Sequence, residues 1–291
     1  MSALTDVLAW IVIAGFATGA VLQRRDVEPI GRWLAVAAWT AFAAFWALLV
    51  PHFWITQQSP IEGALSAVAV PASVYVAYLI GTERRSFETM TRAIAIMGVL
   101  YLPFMMVPTL QRLLIEMVAR HTELLLTAVG FDPTVVTGPQ GYRSSFKFVA
   151  ADGHVFMTTV VLACTGIGSA ATVTGLLLAL DAPIRRRLGG VAIAVPVIYG
   201  LNLVRVGFIA LAHGLQWFAA YKRPVYLLFG TQNPNMVSYL IADRVLAQSL
   251  SVVALVALTL GLIRVLPELA TVLEDVLFLA TGEEYDVQTL F

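Results

Sequence analysis

The chain has 291 residues, of which 59% are hydrophobic and only 12% charged, and its mean hydropathy is +0.83. A composition this apolar excludes an ordinary soluble domain and marks a polytopic membrane protein. Its 18 basic residues balance 18 acidic ones, and without a long basic tract there is no reason to expect nucleic acid as a partner.

A membrane helix needs roughly 20 mainly apolar residues, and the chain offers seven such stretches. They lie near Leu4 to Leu22, Trp33 to Ile55, Ile61 to Gly81, Ala93 to Thr109, Cys164 to Leu180, Leu188 to His213 and Val237 to Ile263. The first has no basic leader and no small-residue cleavage site, so it reads as a retained helix. Pro51, Pro71, Pro103 and Pro196 fall inside these stretches, which membrane helices tolerate. No internal repeat stands out. The expectation is an all-α polytopic membrane protein of about seven transmembrane helices, a single domain over residues 1–291 with its motif-bearing core at about 146–264.

Orientation follows from the basic residues, which gather in short cytoplasmic loops. Arg24, Arg25 and Arg32 follow the first stretch, Arg84, Arg85 and Arg92 the third, Arg185 to Arg187 the fifth and Arg264 the seventh. That set marks the cytoplasmic side and puts the amino terminus outside and the carboxyl terminus inside. In the long outer loop, Gln111 to Gly130 carries Arg112, Glu116, Arg120 and Glu123 about one turn apart, which predicts an amphipathic interfacial helix. Tyr142 to Val149 and His154 to Val160, joined through Asp152-Gly153, predict a β-hairpin that shapes a cleft or braces the loop. Pro224 to Asn235 reads as an irregular cap, and Leu266 to Leu279 as a cytoplasmic surface helix.

Cys164 is the one cysteine, so it forms no intrachain disulfide and supplies no zinc pattern; neither a metal nor a cofactor is expected. A free cysteine is often only a small buried hydrophobe. Its surroundings argue for more. Arg205 and Arg244 are the two basic residues that no loop accounts for. Arg205 lies about 25 Å along its helix from the cytoplasmic face, and Arg244 about 30 Å from the Arg264 anchor, at 1.5 Å per residue. Both depths match the outer leaflet, where Cys164 opens the fifth stretch. The plain alternative is that the arginines snorkel to the headgroups. A fixed cation favours the reactive thiolate, and a second guanidinium can bind the oxyanion of an attacked carbonyl or a substrate carboxylate. A helix amino terminus at Cys164 would favour the thiolate further. Such a set fits acyl transfer through a thioester. His213, near the outer end of the sixth stretch, is a candidate proton donor for the leaving amine.

Ala163-Cys164-Thr165-Gly166-Ile167-Gly168-Ser169, Asn202-Leu203-Val204-Arg205-Val206 and Asp243-Arg244 together resemble the exosortase and archaeosortase superfamily, and its archaeal branch most closely. Cys164 and Arg205 are 41 residues apart and Arg205 and Arg244 are 39 apart, with arginine where the bacterial branch typically has histidine. The resemblance implies that Cys164 is the nucleophile and that Arg205 and Arg244 complete the catalytic set. Asn202, Thr165, Ser169 and His213 are supporting candidates without an assigned role. It implies a substrate too. Archaeal members recognise the C-terminal sorting signal of exported surface proteins, a Pro-Gly-Phe motif followed by a hydrophobic helix and basic residues, and exchange that tail for a membrane lipid. The implied partners are therefore that tail helix and a lipid acceptor, at the extracytoplasmic face of the cell membrane. This chain ends in Val287-Gln288-Thr289-Leu290-Phe291 and is not expected to carry the signal itself.

Competing classes are weaker. A retinal protein needs a buried lysine, and Lys147 and Lys222 both fall in outer loops. A transporter or channel for an anionic solute is the runner-up, yet Asp6, Glu62 and Asp243 lie towards outer ends of their stretches rather than at the midplane. Asp243 is placed to pair with one of the arginines. A non-enzymatic scaffold would tolerate loss of the cysteine. No Gly-x-Ser-x-Gly or His-Glu-x-x-His motif supports a serine or metalloprotease.

Overall fold

The computed structural model describes residues 3–23, 28–85 and 87–287. Arg24, Arg25, the side chain of Asp6 and residues 288–291, all used in the sequence reading, lie outside the described residues. The chain forms two compact units. One comprises the described residues of Met1–Leu100, Ala171–Val195 and Val256–Phe291, and the other comprises Tyr101–Ala170 and Pro196–Leu255.

Among the described residues five helices are long and apolar enough to cross a membrane: Pro29–Thr56, Pro60–Gly81, Glu88–Met106, Ile184–Gly214 and Pro234–Ile263. Val7–Leu22 and Ile167–Ala179 are apolar but shorter. At 1.5 Å per residue, the 13 residues of Ile167–Ala179 reach about 20 Å, less than the roughly 30 Å of bilayer hydrocarbon. Of the expected seven spans, five are full-length candidates, Ile167–Ala179 is short, and the first belongs to a helix that covers Ala3–Gln23, 21 residues.

The first unit is built on α1 (Ala3–Gln23), α2 (Glu28–Pro51) and α3 (Pro60–Gly81). Phe16 and Trp39 meet edge to face at 5.2 Å in a core with Ala35, Ala38, Val76 and Ile80. The indole N–H of Trp39 donates to Thr91 at 3.1 Å, which satisfies its polar edge inside the core. Glycine permits close helix approach: a Cβ on Gly175 would stand 2.6 Å from the Ala93 carbonyl oxygen. Four of the arginines assigned to the cytoplasmic side are paired with acids of this unit. Arg92 grips Asp181 through two bonds of 2.8 Å, Arg186 meets Glu268 at 2.8 Å, Arg85 meets Asp275 at 3.2 Å, and Arg32 pairs with Glu83. Past the last span, Leu266 to Leu279 is a short 3-10 turn at Pro267–Leu269 followed by a helix over Ala270–Thr281.

The second unit holds the features predicted for the outer loop. Here α4 (Glu88–Met106) gives way at Val107 to α5 (Pro108–Ala128), whose buried residues Ile115, Val118, Ala119, Thr122 and Leu126 form one stripe. That stripe packs within the protein, against Phe146, Val160 and Val206 among others. Arg112, Glu116 and Glu123 flank that stripe, with Arg112 and Glu116 3.0 Å apart and Glu123 meeting Arg143 at 3.0 Å, while Leu113, Met117 and Leu124 stand exposed on the side opposite it.

The predicted hairpin is present with one more strand. β1 (Thr134–Thr137), β2 (Arg143–Val149) and β3 (Val155–Thr159) form an antiparallel sheet in that order. Gly153 turns the β2–β3 connection at φ +84°, a conformation that glycine adopts without steric cost. Pro224 to Asn235 proves less irregular than expected. Lys222–Phe229 forms a helix, α8, because Val225 and Phe229 lie on one side of it and are buried; Gly230, at φ 63°, then ends it.

Candidate active site

The hairpin delivers the thiol. β3 runs through Val160 and Val161 into a 3-10 turn, Leu162–Thr165, that contains Cys164. Within it the Cys164 N–H donates to the Val161 carbonyl at 2.8 Å, and the Thr165 hydroxyl donates to the Leu162 carbonyl at 2.7 Å. Gly166 follows at φ 77° and separates the turn from α6 (Ile167–Ala179). The reversal corrects one expectation: the helix begins at Ile167, and Cys164 stands in the turn ahead of it rather than at its amino terminus. Ser169 lies on the exposed side of the first turn of α6.

Asn202, on α7 (Ile184–Gly214), donates from Nδ2 to the Cys164 carbonyl at 2.9 Å. Arg205, three residues on, lies on the same face of that helix. Its Nη2 donates to Asp243 Oδ1 at 3.2 Å, and Arg244 Nε stands 3.4 Å from Asp243 Oδ2. Asp243 is buried, and its two oxygens face both arginines rather than one.

Asp243 and Arg244 sit on a π-helical stretch, Leu240–Ala247, between the short α9 (Val237–Tyr239) and α10 (Gln248–Ile263). The Gln248 N–H reaches back to the Asp243 carbonyl in the i→i+5 pattern that defines the wider turn. Such stretches recur at functional sites, and this one carries the acidic and basic residues of the cluster. Tyr239, just ahead of it, places its hydroxyl against the Asp243 carboxylate. The sequence reading missed Tyr239, since an aromatic at the start of an apolar helix carries no mark that separates it from core packing.

Cys164 is partly buried and feels the cluster electrostatically. Burial pushes its thiol above the ordinary range; the Val161 backbone and the Arg205 and Arg244 guanidinium groups act against that, and the Asp243 carboxylate adds to it. Burial and Asp243 thus favour the neutral thiol, and the two guanidinium groups favour its ionised form. His213 is differently engaged. Its Nδ1 lies 3.0 Å from the Thr158 hydroxyl, and its ring is set edge to face between Phe156 and Tyr239, 5.5 Å from each. Tyr239 therefore links the histidine to the Asp243 cluster.

The sequence itself has relatives. Residues 5–222 match the family described as Transmembrane exosortase. The chain belongs to the transmembrane exosortase family. This exosortase-family chain is 46% identical to Archaeosortase A of Haloferax volcanii over 98% of its own length and 97% of that protein's. It is 39% identical to Archaeosortase A of Natronomonas pharaonis, over 94% of its own length and 88% of the relative's. The family match takes in Cys164 and Arg205 and stops before Arg244, which falls within the longer likeness to the Haloferax protein. No solved structure matches the exosortase-family chain.

Proposed function

We propose that this multi-pass membrane protein is a cysteine transpeptidase that removes the C-terminal Pro-Gly-Phe-type sorting signal of exported surface proteins, such as S-layer glycoproteins, and attaches them to a membrane lipid. The observation that carries the reading is that the one thiol lies within the electrostatic reach of Arg205, Asp243 and Arg244, which are themselves joined by ion pairs. The likeness to proteins named Archaeosortase A supports it.

In the first half-reaction, Cys164 Sγ attacks a backbone carbonyl carbon near the motif. The guanidinium groups stabilise the oxyanion of the tetrahedral adduct. Collapse breaks the C–N bond, the leaving amine carries away the thiol proton, and a thioester remains. The amine of a lipid acceptor then attacks the thioester, forms a new amide and returns the proton to Sγ. Arginine stays protonated throughout, so Arg205 and Arg244 act as electrostatic donors and not as bases. A site on the extracytoplasmic face suits a substrate whose tail helix is already threaded through the membrane.

The deciding experiment is the intact mass of a surface glycoprotein with a Pro-Gly-Phe tail, from cells carrying the wild-type chain or Cys164→Ala at matched expression. Retention of the tail and loss of the lipid adduct in the variant are expected. Unchanged processing would refute a thiol mechanism and favour an anionic-solute transporter, for which Cys164 is dispensable.

A further inference from the structure

Two guanidinium groups gathered near one thiol repel each other, and where water is scarce that repulsion is felt strongly. A buried carboxylate relieves it. Each oxygen of Asp243 serves a different arginine, Oδ1 facing Arg205 Nη2 at 3.2 Å and Oδ2 facing Arg244 Nε at 3.4 Å. The Tyr239 hydroxyl lies against the same carboxylate, and the Tyr239 ring is braced by His213 at 5.5 Å. The π-helical turn puts Asp243 and its neighbour Arg244 on one element, while Arg205 arrives from α7.

We propose that Asp243 is a positioning residue, whose carboxylate bridges Arg205 and Arg244 and sets where both guanidinium groups stand relative to Cys164. The proposal rests on the reading of Cys164 as the nucleophile, though its test does not depend on turnover. The charge of Asp243 opposes the two arginines at the thiol, so the carboxylate both gathers the cations and moderates their pull. The charged and titratable groups that act together here are Asp243, Arg205, Arg244 and Tyr239.

Because the chain has one cysteine, iodoacetamide labelling of the purified full-length protein reads that thiol alone. Its labelling rate against pH is compared for wild type, Asp243→Asn and Asp243→Glu, alongside tail removal in cells. Asp243→Asn keeps the shape and loses the charge; its labelling profile is expected to move to lower pH. Tail removal is expected to fall in the same variant, because the arginines lose their common anchor. Asp243→Glu keeps the charge and is expected to hold the labelling profile near its wild-type position. Profiles that move equally in both variants, or in neither, overturn the assignment. Processing that survives Cys164→Ala would instead refute the nucleophile reading, and the labelling comparison would still decide what Asp243 does.

Discussion

The Asn202 side-chain amide holds the Cys164 carbonyl at 2.9 Å, which fastens the turn bearing the thiol to the same helix that carries Arg205. Asn202 and Arg205 are one turn apart on α7, so a single helix face sets the position of the turn and the direction of one guanidinium. Gly166 belongs to the same arrangement. A Cβ there would fall 3.0 Å from Asn202 Cγ, and the φ of 77° already favours glycine.

Asn202→Ala is expected to slow tail removal without changing the charge around the thiol. A neutral hydrogen bond contributes about 1 kcal/mol and a stranded acceptor costs about 1–3 kcal/mol, so a loss of roughly ten-fold is expected. The iodoacetamide profile of Cys164 should keep its pH midpoint, and a variant with wild-type processing would show that the bond does not position the turn.

Much of the cluster was legible because it breaks the pattern of an apolar chain. Cys164 is unique in composition, and Arg205 and Arg244 are the basic residues that charge distribution leaves over. What joins them was not legible. Asp243 next to Arg244 reads as a local pair, and only the packing of α7 against the π-helical stretch gives its second oxygen to Arg205. The π register leaves no period in the sequence, since Leu240–Ala247 is as apolar as an ordinary helix apart from its two charges. The β2–β3 hairpin declared itself through Asp152-Gly153, whereas β1 is a four-residue strand with no turn signal of its own. Pro224 and Gly230 read as a cap because both are turn residues, yet proline is tolerated in the first turn of a helix and glycine ends one. Hydropathy counted α6 as a span because it ran the preceding turn into the helix; Gly166 cuts that stretch short.

Gly166→Ala is expected to destabilise the Cys164 turn. The left-handed conformation costs a non-glycine residue about 1–2 kcal/mol, and the added methyl meets Asn202 as well. Gly168→Ala is the control, since a Cβ there meets nothing within 4 Å. Thermal unfolding of the purified proteins should show a lower midpoint for Gly166→Ala alone, and equal midpoints would mean that the turn accommodates the methyl.

Arg205→Lys keeps the charge and loses the planar fork. A lysine ammonium is a point donor on a flexible stem and cannot reproduce the Nη2 contact to Asp243 while a second donor faces the substrate. Hydrogen bonds to charged groups are worth about 1.5–3 kcal/mol, which corresponds to a loss of roughly 10- to 100-fold in tail removal. Wild-type rates in this variant would reduce the role of Arg205 to charge alone.

The pH dependence of Cys164 labelling has a definite sign. Burial favours the neutral thiol, so wild-type labelling is expected to rise only above the ordinary range of a free cysteine, about 8.5. Arg205 and Arg244 favour the thiolate, and removing either charge must leave burial and Asp243 with less opposition. Arg205→Gln and Arg244→Gln are therefore each expected to shift the labelling midpoint to higher pH than wild type, opposite to the direction expected for Asp243→Asn. Iodoacetamide rates measured across a pH series on the three proteins give the comparison directly, and a downward shift in either arginine variant would show that its guanidinium does not act on the thiol.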